Sequence, residues 1–84
     1  MAPYLMTFRE AFQKEQLWYR KAIIVHTCHY VRKLQFNDKW KMKDTARELG
    51  ISLSYVSEDI KLAERIDKDT SITQLSRNKA LKEL

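Results

Sequence analysis

The stretch "TARELGISLSYVSEDI" (residues 45–60) contains the only glycine of the 84-residue chain. A helix can run up to Gly50 from one side, and a second helix can begin after Ser52. Glycine reaches the positive φ that ends a helix without steric cost, and a serine oxygen can accept from the first free amides of the next helix. The stretch therefore predicts two short helices joined by a tight turn.

The apolar spacing on either side of this turn predicts that the two helices pack against each other. The inward positions recur at intervals of three and four residues: Met42, Ala46 and Leu49 before the turn, and Val56, Ile60 and Ala63 after it. Such spacing places side chains on one face of a helix. Ala46 is small enough to allow a close approach, and Ile51 lies where a side chain can fill the space beneath the turn.

The rest of the chain predicts an all-α fold in a single small domain. It has one glycine, one proline and no pair of alternating strand-like runs. A capping box at Thr7 and Glu10 opens a long helix over about residues 8–35. The paired helices follow over about residues 42–66. A second capping box, at Ser71 and Gln74, opens a C-terminal helix over about residues 72–84.

Composition limits the function classes. The net charge of +5 suits a surface that binds polyanions. The longest apolar run has four residues, far below the roughly 20 of a membrane span. The first residues have neither the basic start nor the apolar core of a signal peptide. A single cysteine, Cys28, excludes an internal disulfide. We expect no membrane contact and a location in the cytoplasm of a prokaryotic or phage-infected cell.

With these caps and spacings, residues 42–63 resemble the helix-turn-helix superfamily, in particular phage and bacterial regulators and the partition-protein type. The resemblance is carried by Thr45, Ala46, Leu49, Gly50, Ile51, Ser52, Ser54, Tyr55, Val56 and Ser57. The motif-defining positions are Ala46, Gly50, Ile51, Ser52, Val56 and Ile60. The chain departs from the pattern at Asp59, where many family members carry an aliphatic residue. An ordinary helical hairpin that turns at a glycine is the alternative interpretation.

The resemblance implies that the helix after the turn enters the major groove of double-stranded DNA. Its outward residues, which would read base edges, are Leu53, Ser54, Ser57, Glu58 and Lys61. The residues expected to contact phosphates are Lys41, Lys43, Arg47 and Tyr55. Lys41 and Lys43 lie at the start of the first helix of the pair, where free amides also attract anions. For the lysines the alternative is an ordinary solvated surface, and for Tyr55 it is packing.

Two acidic residues after the turn need an explanation, because DNA repels them. Glu58 can accept from a cytosine amine and so serve selectivity. In the alternative interpretation, Glu58 and Asp59 form a solvated face and pair with Lys61 or other basic neighbours. Residues 40–66 hold five basic and five acidic residues, whereas residues 1–39 hold seven and three. The excess positive charge therefore lies mainly on the N-terminal helix.

The N-terminal helix is apolar on two faces. One stripe comprises Phe8, Phe12, Tyr19, Ile23, His26, Tyr30 and Leu34, and the other comprises Leu17, Ile24, Cys28 and Val31. A helix that is apolar nearly all round is buried nearly all round. The other helices are too short to cover it, so we expect a homodimer through this helix. The alternative is a helix that breaks near its middle and folds back.

Other residues indicate structural roles. We expect Trp40 to anchor the chain where it enters the helix before the turn, and Arg77, Lys79 and Lys82 to face outward. Of His26, Cys28 and His29, two fall on the apolar stripes, and the chain has no second cysteine to help complete the three or four ligands of a zinc site. We therefore expect neither a metal nor a cofactor. The sequence shows no arrangement of catalytic residues, so we expect a protein that is not an enzyme.

These observations predict sequence-specific binding of double-stranded DNA, as in a small phage or bacterial transcription regulator. One alternative is an adaptor for DNA packaging or partition, which would use the same motif. Another is a protein-interaction module that contacts a polymerase, a sigma factor or a replication protein, which the neutral charge of residues 40–66 favours.

Overall fold

Five α-helices and two 3₁₀ turns form the regular structure of residues 6–84, which the computed structural model describes. The α-helices are α1 (Phe8–Lys14), α2 (Trp18–Phe36), α3 (Met42–Leu49), α4 (Leu53–Lys68) and α5 (Arg77–Lys82). The 3₁₀ turns, Asn37–Lys39 and Thr70–Gln74, follow α2 and α4. Residues 6–84 contain no strand, so the predicted all-α class is confirmed.

The long helix predicted over about residues 8–35 is two helices, which separate at residues 15–17. The predicted capping box at the start of α1 is present. The Glu15 carboxylate accepts from the amides of Gln16 and Leu17 at 3.1 and 3.2 Å and so holds the bend. The bend lets α1 fold back onto the other helices and bury Phe12.

The main core lies where α1, α2, α3 and α4 meet. Its buried side chains are Phe12, Val25, Cys28, Ala46, Leu49, Val56 and Ile60. The Phe12 ring meets the Tyr55 ring edge-on, with 5.8 Å between the centroids, an arrangement that aromatic pairs prefer. Each fully buried aliphatic side chain contributes about 1.5–3 kcal/mol. This cluster therefore holds α3 and α4 against α2 as one unit.

A second cluster joins the first half of α2 to the second half of α4 and to the C-terminal segment. Its buried members are Ala22, Leu62, Ile72 and Ala80. Trp18 closes the cluster, and its indole N–H donates to the Leu75 carbonyl at 2.8 Å. The C-terminal segment is thus part of the folded body.

The C-terminal helix predicted over about residues 72–84 is shorter and begins later. Residues Thr70–Gln74 form a 3₁₀ turn, and α5 covers Arg77–Lys82. The predicted capping box at Ser71 was wrong: the Ser71 amide donates to the Asp69 carboxylate, and Ser76 caps α5 by accepting from the Lys79 amide. The outward position predicted for Arg77 was also wrong, because its side chain turns toward α4.

Polar contacts hold α3 on the second half of α2. The Arg32 guanidinium donates to both oxygens of Glu48 at 2.8 Å, a paired geometry that is stronger than a single bond. The Thr45 hydroxyl accepts from the Trp40 indole N–H and bonds to His29 Nδ1, each at 2.8 Å. Trp40 also stacks on Phe36, with 5.4 Å between the centroids. The anchoring role predicted for Trp40 is confirmed.

One face of α2 stays exposed in the single chain. Ile23, Tyr30 and Leu34 are 45%, 41% and 83% exposed, whereas Cys28 on the opposite face is fully buried. The break between α1 and α2 separates Phe12 from the stripe to which the sequence assigned it. None of the helices in residues 6–84 has the length and apolar character needed to cross a membrane.

Candidate functional site

The turn between α3 and α4 has the backbone geometry that its residue types predicted. Gly50 adopts φ 72° and ψ 36°, a left-handed conformation that glycine reaches without strain. The amides of Gly50 and Ile51 both donate to the Ala46 carbonyl, at 2.9 and 3.0 Å. Ser52 then caps α4, because its hydroxyl accepts from the Tyr55 amide at 3.1 Å. The three residues after α3 thus set the direction in which α4 begins.

The inner faces of the two helices are those predicted from the spacing. Ala46, Val56 and Ile60 are buried in the main core, and Ile51 packs against it from the turn. Two predicted positions differ: Met42 stays exposed at the start of α3, and Ala63 is half-buried and packs on the second cluster. Ala46, Gly50, Ile51, Ser52, Val56 and Ile60 therefore contribute packing and turn geometry.

The outer side of the first turns of α4 faces solvent. Leu53, Ser54 and Lys61 are exposed and Ser57 is half-buried. The hydroxyls of Ser54 and Ser57 form no hydrogen bond with another residue in the range 6–84. These four side chains, which we call the α4 outer face, can therefore present two hydroxyls, one ammonium group and one apolar side chain to a partner.

Glu58 and Asp59 point toward Arg77 of α5. The Arg77 guanidinium donates to Asp59 Oδ1 from Nε at 3.1 Å and from Nη2 at 2.9 Å. Nη2 also donates to Glu58 Oε1 at 3.1 Å. The guanidinium lies over the Tyr55 ring, 4.1 Å from its centroid. Asp59 is completely buried, so its carboxylate and Arg77 form an ion pair inside the fold.

Burial dominates the electrostatics of Asp59. It raises the pKa of this carboxyl to about 6, even though the bonds from Arg77 act in the opposite direction. Asp59 Oδ2 has no hydrogen-bond partner among residues 6–84. A buried oxygen without a partner carries a desolvation cost. The Tyr55 hydroxyl also has a raised pKa, first because of its burial and then because of the Asp59 charge.

The basic residues predicted at α3 are at the surface. Lys41, Lys43 and Arg47 are exposed, at the start and on the outer side of the helix. Asp44 accepts from the Lys41 amide at 2.8 Å and lies 3.9 Å from the Arg47 guanidinium. The lysine ammonium groups form no ion pair with a described residue. Tyr55, the fourth residue predicted to contact phosphate, is half-buried between Phe12 and Arg77.

Two arginines outside the pair of helices bind three of its five acidic residues. Of the five acidic residues in the range 40–66, Glu48 binds Arg32, while Glu58 and Asp59 bind Arg77. Asp44 bonds to residues of α3 and its cap. The fifth acidic residue, Glu64, lies near the far end of α4. The surface around the start of α3 and α4 is therefore more basic than the sequence count of five against five indicates.

Sequence reasoning missed Arg77 and Arg32 as partners of these acids and Arg9 as a neighbour of the turn. The Arg9 Nη2 atom lies 2.9 Å from the position that a Cβ on Gly50 would occupy. No local pattern marks these contacts, because Arg77 is 18 positions from Asp59 and Arg32 is 16 positions from Glu48. The one available signal was Asp59, an unexplained carboxylate on an apolar face. A buried carboxylate requires a cation nearby.

The two histidines and the cysteine of α2 do not form a metal site in the described chain. Within residues 6–84, no three His, Cys, Asp or Glu side chains come together as metal ligands. Burial raises the pKa of the Cys28 thiol to about 12, so this sulfur stays protonated near neutral pH. His29 is committed to Thr45.

Comparisons of the chain with protein-family models, with curated proteins and with solved structures found no match.

Proposed function

We propose that the chain is a helix-turn-helix protein that binds double-stranded DNA, with α4 in the major groove. The observation that carries the proposal is the arrangement of charge around the turn. The acidic residues of α4 near the turn face Arg77, while Lys41, Lys43 and the α4 outer face remain exposed. A neutral pair of helices thereby presents a basic and hydroxyl-bearing surface on the side where the superfamily binds DNA.

The proposed contacts divide into two classes. Lys41, Lys43 and Arg47 would neutralise phosphates and set the orientation, which carries no sequence information. On the α4 outer face, Ser54, Ser57 and Lys61 would reach base edges, and Leu53 would meet a thymine methyl. Glu58 is also a proposed base contact, because Arg77 uses only Oε1 and leaves Oε2 for a cytosine amine. For Tyr55, a phosphate contact stays a prediction.

The biological setting that we propose is a small phage or bacterial transcription regulator acting in the cytoplasm. A twofold dimer belongs to this proposal, because two copies would present two α4 helices to two half-sites. An adaptor for DNA packaging or partition would use the same contacts.

The test is selection of bound duplexes from a random pool, followed by titration of the selected duplex at several salt concentrations. The Lys41→Ala/Lys43→Ala double variant should lower the slope of log affinity against log salt by about two, since each phosphate contact contributes about 0.9. Lys82→Ala removes an exposed lysine from the end of α5, outside the pair of helices, and serves as the matched control. Ser57→Ala should relax the preference at one base pair while leaving the salt slope unchanged.

Two results would contradict DNA binding. One is selection that enriches no sequence, and the other is absence of retention at about 100 mM salt, where specific complexes persist. A protein that instead co-purifies through the exposed Leu53 would support the protein-interaction alternative. Leu53 favours that alternative because it is 53% exposed beside polar residues.

A further inference from the structure

The exposed face of α2 carries a regular seam of side chains. Ile23, Thr27, Tyr30 and Leu34 follow one another at intervals of four, three and four residues, and all four are exposed. Alternating intervals of four and three residues are those of the a and d positions in a heptad, which keep one side of a helix facing a partner helix. We call these four residues the α2 seam.

The two ends of the α2 seam differ in shape. At the Ile23 end, a cleft of about 740 Å³ opens between α2 and α4, with Ala63 and Ile66 among its lining residues. At the other end, Leu34 protrudes with 83% of its surface exposed, beside a more open hollow of about 620 Å³ that is also lined by Tyr30, Lys33, Asn37 and Asp38. The two ends are 11 residues apart, or about 16 Å along the helix axis. The same face therefore carries an apolar projection and an apolar recess.

We propose that a second copy of this chain packs on the α2 seam with the two α2 helices antiparallel. Ile23 then lies opposite Leu34 of the partner subunit, and Thr27 lies opposite Tyr30 of the partner subunit. A twofold axis passes between positions 28 and 29, so each Leu34 enters the cleft of the other copy. The interface is isologous, because each copy supplies the same projection and the same recess.

A parallel arrangement would place Leu34 against Leu34 and leave both clefts empty. The antiparallel register fills both clefts and pairs all four seam positions, which gives four layers of two kinds in a knobs-into-holes arrangement. Shape therefore selects the antiparallel register.

Charge selects the same register. Within α2 the charged residues are Arg20, Lys21, Arg32 and Lys33, all of them basic. Arg32 binds Glu48, and Lys21 lies over the Phe12 ring, which leaves Arg20 and Lys33 beside the seam. In the antiparallel register Lys33 approaches the cleft of the other copy, whose rim carries Glu64 and Asp67 as well as Lys68. In a parallel register Lys33 would lie about 15 Å along the helix axis from the cleft of the other copy.

The size of this surface sets the strength of the dimer. The seam and the cleft lining together comprise ten residues in each copy, fewer than the roughly 20–30 of a standard interface. We therefore expect a reversible dimer with a dissociation constant on the order of micromolar or weaker. Such a dimer is detected by measuring the molecular mass over a range of protein concentrations.

The inference deepens the twofold dimer of the proposed function, but its test needs no DNA. Sedimentation of the full chain from about 5 to about 500 µM, in the range expected for a small interface, should show the mass rising from 10.1 kDa toward twice that value. Leu34→Glu should stay monomeric over the same range. Leu84→Glu places the same charge at an exposed leucine off the seam and should dimerise like the wild type.

Mixing two variants tests the register. Ile23→Arg and Leu34→Glu should each be monomeric alone, with helical circular dichroism spectra like that of the wild type. Their mixture should regain dimers, because the heterodimer has one native end and one Arg–Glu pair. A wild type that stays at 10.1 kDa, or a Leu34→Glu variant that dimerises normally, would overturn the interface. Absence of rescue on mixing would overturn the antiparallel register. DNA binding by a monomeric chain would separate this failure from a failure of the proposed function.

Discussion

At Gly50 a single residue carries the backbone conformation on which the turn between α3 and α4 depends. Replacing it with alanine should lower the free energy of unfolding by about 1–2 kcal/mol, the cost of a left-handed conformation for a residue with a Cβ. The new Cβ would also approach the Arg9 guanidinium, but this is the end of a flexible side chain and can move. Urea-induced unfolding followed by circular dichroism measures the change.

Two further variants separate backbone strain from crowding at this turn. Gly50→Asn should lose less stability than Gly50→Ala, because asparagine adopts the left-handed region more readily. Adding Arg9→Ala to Gly50→Ala should leave the loss in place. Full recovery in that double variant would show that the contact with Arg9, not the backbone, was the cause.

Replacing Arg77 should lower the stability of the protein mainly through its effect on Asp59. Arg77→Met leaves a buried carboxylate without a partner, which costs about 3–5 kcal/mol when one member of a buried pair is lost. Asp59→Leu/Arg77→Met should regain most of this loss, because an apolar pair of similar volume needs no desolvation of charge. Chemical unfolding of the two variants and the wild type at pH 7 makes the comparison. If the double variant is no more stable than Arg77→Met, the loss does not come from the unpaired charge.

The same pair predicts how stability changes with pH. The pKa of Asp59 is about 6 in the folded chain, against an ordinary value of 3.8. Since the folded state binds this proton more tightly, the contribution to stability is present at low pH and is lost as pH rises through about 6. The loss in Arg77→Met should therefore shrink between pH 7 and pH 4.5. In Asp59→Leu/Arg77→Met, which has no carboxyl at position 59, the corresponding trend should be absent.

At the scale of elements, the position of α3 on α2 depends on the Thr45 hydroxyl. Thr45→Val keeps the side-chain shape but leaves the Trp40 indole N–H and His29 Nδ1 without a partner. We expect a loss of about 1–3 kcal/mol in the free energy of unfolding, the cost of unsatisfied buried polar groups. Thermal unfolding followed by Trp fluorescence measures it, and Thr45→Ser, which keeps the hydroxyl, is the matched control. Equal losses in both variants would assign the effect to packing.

The contribution of His29 to stability changes with pH in the direction opposite to that of Asp59. Burial first, then the charges of Lys33 and His26, lower the pKa of His29 below 6.5. Its contribution to stability is therefore present above pH 6.5 and is lost as pH falls below that value. The pH trend of the wild type combines both groups, which is why the variants at positions 59 and 77 are needed to isolate one of them.

At the scale of the whole molecule, DNA binding and dimer formation should be linked. On a duplex with two half-sites, Leu34→Glu should bind at least about tenfold more weakly than the wild type, because it loses the gain from engaging two linked sites. On a duplex with one half-site the two proteins should bind equally. Fluorescence anisotropy with the two duplexes measures both. Equal weakening on both duplexes would place Leu34 in the DNA contact itself.

Local signals in the sequence predicted the α3–α4 turn and most helix ends. Gly50, Ser52 and Thr7 act through hydrogen bonds to residues three or four positions away, so residue type and spacing are sufficient information. The break at residues 15–17 could not be predicted in this way, because it contains no glycine or proline. The chain bends there because the bend brings Phe12 into the core. The stabilisation gained in this way depends on residues far along the chain.

By itself, then, the sequence determined the all-α class, the glycine turn, its caps and the apolar faces on which α3 and α4 meet. Tertiary structure alone decided that Arg77 binds Glu58 and Asp59 and that Arg32 binds Glu48. It also decided that Ile23, Tyr30 and Leu34 stay at the surface. The physical reason is range: caps and turns satisfy backbone groups within a few residues. Burial and ion pairing instead join residues 16 to 19 positions apart, which become neighbours only once the helices have packed.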